Sequence, residues 1–232
     1  MFDTSINQTH IFLYFWLINI CMTIPLQNRL KKRMHVEIAS LQDELVELLY
    51  TIDPNLVLHG GTCVWRCYGG NRFSEDLDFY CSDPGRIETK LAEKAVERNL
   101  AIDKFKKTKN LVFCKISGNG TIVRIEMNFA VAKTPVVRPY ERVDGTFMEI
   151  FTLSEEELLI EKMNAYNNRR FVRDLYDIHL LSNYASADKK TMNEFLKGIE
   201  PPIDEKNLKT LVYSGAVPDF RQMVEAMKRR FK

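Results

Sequence analysis

The strongest constraint on the fold is a short apolar segment that runs directly into two glycines. Residues 56–58 read Leu-Val-Leu, and His59, Gly60, Gly61 and Thr62 follow at once. This pattern predicts a buried strand and a tight turn into a short helix that extends to about residue 65. Glycines at a helix N-terminus let an anion approach free backbone N–H groups, and the helix dipole favours its negative charge. The segment is therefore either a phosphate-binding turn or a tight turn without a ligand.

Two aspartates, Asp76 and Asp78, follow the turn in a stretch where Leu77 and Phe79 alternate with them. On a strand they would point to the same face, with their Cα atoms about 6.6 Å apart. Two such carboxylates repel each other unless they are solvated or bridged by a cation, and Mg²⁺ or Mn²⁺ prefers oxygen ligands of this kind. The pair predicts a metal site, and an exposed acidic pair at a strand end is the alternative.

A third carboxylate lies in a predicted β-hairpin, in which residues 111–117 and 121–129 are strands joined by Gly-Asn-Gly. On the second strand Glu126 shares a face with Arg124. If this strand lies beside the strand of Asp78, Glu126 completes an acidic cluster, and such a cluster can hold two metals about 4 Å apart for in-line phosphoryl chemistry. A glycine turn, an acidic pair and a later strand acid together predict a nucleotidyltransferase, which moves a nucleoside monophosphate from an NTP to an acceptor hydroxyl.

The stretch from Arg72 to Phe79, with the preceding Gly-Gly-Thr, resembles the signature of the AbiEii/AbiGii toxin family of nucleotidyltransferases, which belong to the DNA polymerase β-like superfamily. Residues 161–178 are similar to the later lysine and Arg-Asp-x-x-Asp motifs of that family. The resemblance covers about residues 56–183 and implies functional roles for Lys162 and Asp174. It also implies a toxin of a type IV-like toxin–antitoxin or phage-defence system, with a separate antitoxin protein as partner and RNA, such as tRNA 3′ ends, as acceptor.

The second stretch also suits phosphate binding on residue types alone. Lys162, Arg169 and Arg173 fall at spacings that place them along one helical face across a short break. A lysine suits a triphosphate as a mobile point charge, and an arginine suits it as a bidentate donor. The alternatives are that Arg169 and Arg173 brace two domains, and that Asp177 forms an i,i+4 surface pair with Arg173.

The sequence thus predicts three overlapping groups of site residues. The predicted metal ligands are Asp76, Asp78 and Glu126. The predicted catalytic residues are Asp76, Asp78, Glu126, Lys162 and Asp174. The predicted nucleotide-binding residues are Gly60, Gly61, Thr62, Ser74, Lys162, Arg169 and Arg173. The alternatives to an RNA-directed enzyme are a small-molecule or protein nucleotidyltransferase that adenylylates its target, and a non-catalytic nucleotide-binding module.

Composition bounds the architecture and the partners. The 232 residues include 33 Lys and Arg against 31 Asp and Glu, so any nucleic-acid contact must come from a local patch. Five cysteines at irregular spacings favour a reducing cytoplasm over a disulfide framework. We predict an α+β protein in which a small mixed β-sheet nucleotidyltransferase domain with flanking helices, residues 34–150, precedes a helical domain, residues 151–232.

Residues 1–33 form an N-terminal apolar extension that precedes the predicted domains. Residues 11–26 carry no charge, and four basic residues follow between positions 29 and 33. The run is shorter than the roughly 20 residues of a membrane-spanning helix. It is compatible with a weak membrane anchor, with a helix packed on the body or on a dimer partner, or with an over-long gene start, and it predicts no firm membrane partner.

Overall fold

The computed structural model describes residues 24–130, 134–185 and 187–232. The uncharged N-terminal run lies almost entirely outside these residues. Among the helices of the described ranges, none is both long enough and apolar enough to cross a membrane.

The described part of the chain starts with two helices, alternates strands and helices up to residue 97, and continues with five successive strands up to residue 152. The elements of this part are α1 (Leu26–Arg29), α2 (Arg33–Ile52), β1 (Val57–His59), α3 (Gly60–Cys67), β2 (Leu77–Tyr80), α4 (Pro84–Glu97), β3 (Ala101–Lys107), β4 (Leu111–Gly118), β5 (Thr121–Asn128), β6 (Val136–Glu141) and β7 (Phe147–Thr152). Helices follow, namely α5 (Glu155–Arg169), α6 (Val172–Leu181), α7 (Lys189–Lys197), a 3₁₀ turn (Glu205–Asn207), α8 (Leu208–Leu211) and α9 (Phe220–Arg230).

The seven strands form one mixed sheet in the order β3-β4-β5-β2-β1-β7-β6. The two strands that carry the predicted site, β1 and β2, are antiparallel neighbours at its centre. Each also pairs in parallel with a later strand, β2 with β5 and β1 with β7. Such central strands are flanked on both edges, so they form a rigid floor for side chains on either face.

The two faces of the sheet are covered differently at the β3–β5 end. On one face, helices α2 and α4 pack against each other, α2 contacts β5 and α4 contacts β3. The β5 side chains Val123, Ile125 and Met127 are buried on this face. The intervening residues of β4 and β5 are partly or fully exposed on the other face. Near β1 and β2 this second face meets α5, whose Glu161 contacts both strands.

Most of the predicted elements are present, and their starts have visible causes. The Ser154 hydroxyl accepts the Glu157 N–H at the start of α5, and Asp219 and Gln222 form a reciprocal capping box at the start of α9. Strands β3, β6 and β7 were not predicted. The predicted domain boundary at residue 150 falls inside β7, which pairs with β1 in the sheet. A separate helical domain stays a prediction.

Candidate active site

A cavity of about 500 Å³ lies where the central strands, the start of α3 and helices α5 and α6 meet. Its lining residues are His59, Gly60, Gly61, Arg72, Ser74, Asp76, Asp78, Glu126, Glu161, Lys162, Asn164, Ala165, Arg169 and Arg173. A larger cavity of about 740 Å³ lies between residues 202–209 and 217–219 and contains none of the predicted site residues. The chemistry of its lining, rather than its size, therefore makes the first cavity the candidate active site.

The two glycines are required by the close approach of neighbouring side chains. Gly60 has a φ of +73°, and a Cβ there would lie 2.2 Å from Asp78 Oδ2. A Cβ on Gly61 would lie 2.6 Å from the Ser74 hydroxyl oxygen and 2.7 Å from Arg72 Nη2. The start of α3 is thus held directly against the acidic strand and its preceding loop. This packing alone accounts for both glycines, and it leaves the helix N-terminus lining the cavity.

Asp78 and Glu126 lie side by side on the cavity floor, because they are register partners in the parallel pairing of β2 with β5. Burial raises the pKa of Asp78, while the nearby charges of His59 and Lys162 act against this rise. Burial and the charges of Asp78 and Asp76 raise the pKa of Glu126. Both shifts express the cost of holding like charges together in a partly buried place.

Asp76 lies just before β2, and its carboxylate turns toward β5. Arg124 Nε and Nη2 donate to its two oxygens at 2.7 and 2.9 Å. The loop itself is anchored, since the Thr62 hydroxyl donates to the Asp76 carbonyl at 2.5 Å and the Gln42 amide donates to the carbonyls of Ser74 and Glu75. Asp76 therefore reaches the cavity from a fixed backbone, with its carboxylate held by an arginine.

The donors fit a hard divalent cation in chemistry, since Asp76, Asp78 and Glu126 offer only carboxylate oxygens. The mutual repulsion of Asp78 and Glu126 is the kind that a bound cation relieves. Within the described ranges, however, no three Asp, Glu, His or Cys side chains are gathered closely enough to hold a metal ion. In this structure the Asp76 carboxylate is paired with Arg124.

Lys162, on α5, lines the cavity and belongs to a buried ionic network. Its Nζ lies 3.0 Å from Asp177 Oδ2 and 3.8 Å from Asp174 Oδ1. Asp177 also accepts two hydrogen bonds from Arg72, at 2.6 and 2.5 Å. Burial would raise the pKa of Asp177, but the charges of Arg72 and Lys162 hold it below its ordinary value.

Two aspartates of α6, Asp174 and Asp177, are both buried. Asp177 is only 1% exposed, so the alternative of a surface pair with Arg173 is wrong. Asp174 is fully buried and accepts both hydrogen bonds of Arg169, at 2.7 and 2.9 Å, and it does not line the cavity. Its contacts are those of a residue that holds Arg169 and Lys162 in place.

Sequence reasoning missed a second cluster at the cavity, formed by His59, Tyr80 and Glu161. His59 Nδ1 lies 3.2 Å from Glu161 Oε2, and the Tyr80 hydroxyl donates to Glu161 Oε1 at 2.5 Å. The rings of His59 and Tyr80 are stacked with centroids 4.1 Å apart. Burial acts against the charge of Glu161, but these hydrogen bonds hold its pKa below the ordinary value. The sequence signals were the positions of His59 directly before Gly60 and of Glu161 directly before Lys162.

The structure brings nine of the predicted site residues to one cavity. They are Gly60, Gly61, Ser74, Asp76, Asp78, Glu126, Lys162, Arg169 and Arg173. Thr62 and Asp174 do not line it. Thr62 is fully buried, with its hydroxyl bound to the Asp76 carbonyl, so its place is that of a residue that shapes the turn. The individual roles of all eleven residues stay predictions.

A mixed sheet with a glycine turn, paired carboxylates and a facing lysine defines the class of this protein, a nucleotidyltransferase. The chain matches the family described as "Nucleotidyl transferase AbiEii toxin, Type IV TA system" over residues 45–232, and it therefore belongs to that family of toxin–antitoxin proteins. The resemblance seen in the sequence is thereby confirmed.

Two solved structures share the fold. The nucleotidyltransferase toxin MenT4 of Mycobacterium tuberculosis is 17% identical, with a TM-score of 0.56, over 85% of this chain and 82% of that one. The protein JHP933 of Helicobacter pylori is 20% identical, with a TM-score of 0.52, over 83% of this chain and 90% of that one. Comparison with curated protein sequences finds no match.

Proposed function

We propose that this nucleotidyltransferase moves a nucleoside monophosphate from an NTP to a hydroxyl of an RNA acceptor, such as a tRNA 3′ end, in a reaction that depends on Mg²⁺ or Mn²⁺. The observation that carries the proposal is the pairing of Asp78 with Glu126 on the floor of a cavity whose other walls present Gly60, Gly61 and Lys162. Carboxylates on one side and phosphate-binding groups on the other are what an NTP with its cation requires.

Different residues of the cavity bind the two substrates, the NTP and the acceptor. The N–H groups at the start of α3 and the Ser74 hydroxyl bind the phosphates of the NTP, and Lys162 neutralises part of their charge. Arg173 is exposed at the cavity and adds a bidentate donor for the same phosphates. Glu126, on the next strand, faces the acceptor hydroxyl and takes up its proton as that hydroxyl attacks the α-phosphorus and pyrophosphate leaves.

The divalent cation would be held by Asp76, Asp78 and Glu126, and when bound it would supply charge neutralisation for the phosphates and a lower pKa for the attacking hydroxyl. In the structure, Arg124 donates two hydrogen bonds to the Asp76 carboxylate. We therefore expect cation binding to compete with this ion pair. Because the pair is at the surface, it contributes at most about 1 kcal/mol, which a divalent cation readily offsets.

The family implies that a separate antitoxin protein restrains this activity in the cell. Assignment of RNA as the acceptor is supported by the basic and aromatic surface described in the next subsection. A small molecule or a protein hydroxyl would use the same cavity and the same donors. The two acceptor classes therefore have to be separated by experiment.

The test incubates the chain with each α-³²P-labelled NTP, total tRNA and Mg²⁺ or Mn²⁺, and follows the label into RNA and into protein. We expect labelled RNA, abolished by Asp78→Asn and by EDTA. The matched control is Glu75→Gln, which removes an exposed carboxylate from the same loop, outside the cavity, and should leave labelling unchanged. Label in protein alone would contradict the RNA assignment, and no labelled product under any condition would contradict the enzyme proposal.

A further inference from the structure

Two cross-strand rows of side chains lead away from the carboxylates along the open face of the sheet. The register joins Asp78, Glu126, Phe113 and Lys106 in one row across β2, β5, β4 and β3. The second row joins Arg124, Lys115 and Lys104 across β5, β4 and β3, next to Asp76. Register partners point to the same face of a sheet, so both rows continue the floor of the cavity outward.

The first row changes from acidic at the cavity to aromatic at Phe113 on β4 and basic at Lys106 on β3, whereas the second row is basic throughout. Lys104 Nζ lies 5.5 Å from the centroid of the Phe113 ring, which places both side chains on this face. Phe113 and Lys115 are half-buried, and Lys104 and Lys106 are exposed. At about 4.8 Å per strand, Phe113 lies one strand and Lys106 two strands, or about 10 Å, from Glu126.

The described residues form no ion pair with these three lysines. Within the described part of the chain Lys104, Lys106 and Lys115 have no salt-bridge partner, whereas Lys107, on the opposite face of the same strand, is paired with Glu88. Lysines on an edge strand commonly prevent pairing with other strands. That role suffices for Lys104 and Lys106, but it explains neither Lys115 nor Phe113, because both lie on β4 inside the sheet.

We propose that this open face, formed by Lys104, Lys106, Phe113 and Lys115, binds the single-stranded end of a nucleic-acid acceptor and leads its terminal hydroxyl to Glu126. The direction in which the acceptor runs rests on the proposed function. In that function the NTP phosphates occupy the β1 side of the cavity, so the β5 side is left to the acceptor. The lysines bind backbone phosphates, and Phe113 stacks on a base one nucleotide from the reacting end. The spacing of Lys104 and Lys106, about 6.6 Å along β3, matches one nucleotide of an extended strand.

Fluorescence anisotropy with a fluorescein-labelled 12-nucleotide single-stranded RNA, without NTP, tests binding separately from catalysis. We expect the triple variant Lys104→Gln, Lys106→Gln, Lys115→Gln to bind at least tenfold more weakly at 50 mM KCl. The slope of log affinity against log salt should fall by about 2, since each lost phosphate contact on a single strand accounts for about 0.7. Phe113→Thr should bind about 5- to 150-fold more weakly with the slope unchanged, because only stacking is lost.

The matched control is Lys90→Gln, Lys94→Gln, Lys107→Gln, which removes the same charge from α4 and from the opposite face of β3. It should bind RNA within twofold of the unaltered chain, and circular dichroism should show all variants folded. Equal weakening by both triple variants, or weakening by neither, would overturn the inference.

The outcomes also separate this inference from the proposed function. A chain that binds RNA through this face but transfers no nucleotide to any acceptor refutes the proposed function and supports the surface. A chain that labels a protein acceptor and binds no RNA refutes the surface and leaves nucleotidyl transfer standing.

Discussion

Removal of the charge of Asp177 is expected to destabilise the whole chain. Asp177 is 1% exposed and neutralises two buried cations, Arg72 through two hydrogen bonds and Lys162 at 3.0 Å. The variant Asp177→Asn keeps the size of the side chain but leaves both cations without this counter-charge. Loss of one partner from a buried ion pair typically costs 3–5 kcal/mol, so we expect the free energy of unfolding to fall by about that amount.

The assay is thermal unfolding followed by circular dichroism, with urea unfolding as a second measure. For a chain of this length, about 3–5 kcal/mol corresponds to a Tm lower by roughly 6–20 °C. The control is Glu200→Gln, whose partner Arg170 and own side chain are 41% and 69% exposed, and which should change stability by less than about 1 kcal/mol. Equal small effects of the two variants would refute the reasoning, because they would show that the buried network contributes no more than a surface pair.

The same network predicts a dependence on pH. The pKa of Asp177 is lowered in the folded chain, so its stabilisation is fully present above the unfolded pKa of about 3.9 and is lost as the pH falls through the folded value. The difference in stability between the unaltered chain and Asp177→Asn should therefore be constant from pH 5 to 8 and shrink below about pH 4. A difference that grew on acidification would contradict this assignment.

Three further results are expected. Gly61→Ala places a Cβ 2.6 Å from the Ser74 hydroxyl oxygen, so kcat/KM for the NTP should fall at least tenfold and stability by about 1–3 kcal/mol, measured by steady-state kinetics and urea unfolding. Arg124→Gln frees Asp76 and should tighten Mn²⁺ binding in calorimetry, while the lost surface pair changes stability by less than about 1 kcal/mol. Mg²⁺ at ten times its Kd should raise the Tm by about 3–6 °C, and removal of the ion with EDTA should reverse the rise. The metal site would be contradicted if the Tm did not rise, or if it rose equally in Asp78→Asn.

The local parts of this site could be predicted from the sequence because local rules determine them. The alternation of β5, in which Val123, Ile125 and Met127 are buried, identified Glu126 as a residue of the other face. The two glycines and the strand-spaced aspartates similarly depend on neighbours within about 20 positions. These rules identify candidate residues, but the meeting of nine of them at one cavity depends on the pairing of β2 with β5 and on the placement of α5 and α6.

The long-range parts could not be predicted, because no local pattern encodes them. The i,i+4 rule paired Asp177 with Arg173, but its partner Arg72 lies 105 positions away in sequence. His59 and Glu161 are 102 positions apart, and only the packing of α5 on the sheet brings them together. Strand β7 was missed for the same reason, since its pairing with β1 is a tertiary contact and its sequence lacks a clear alternation.

The distribution of the cavity residues along the chain has a consequence for synthesis. Asp78 emerges from the ribosome early, but Lys162 and the Asp177 that holds it come about 100 residues later, and β1 lacks one neighbour until β7 is made. At a synthesis rate of about 5–20 residues per second, the nascent chain spends roughly 5–20 s with its acidic strand made and Asp177 still absent. The candidate active site is therefore incomplete until residue 177 has been made, and the acidic strand alone lacks the groups that line the rest of the cavity.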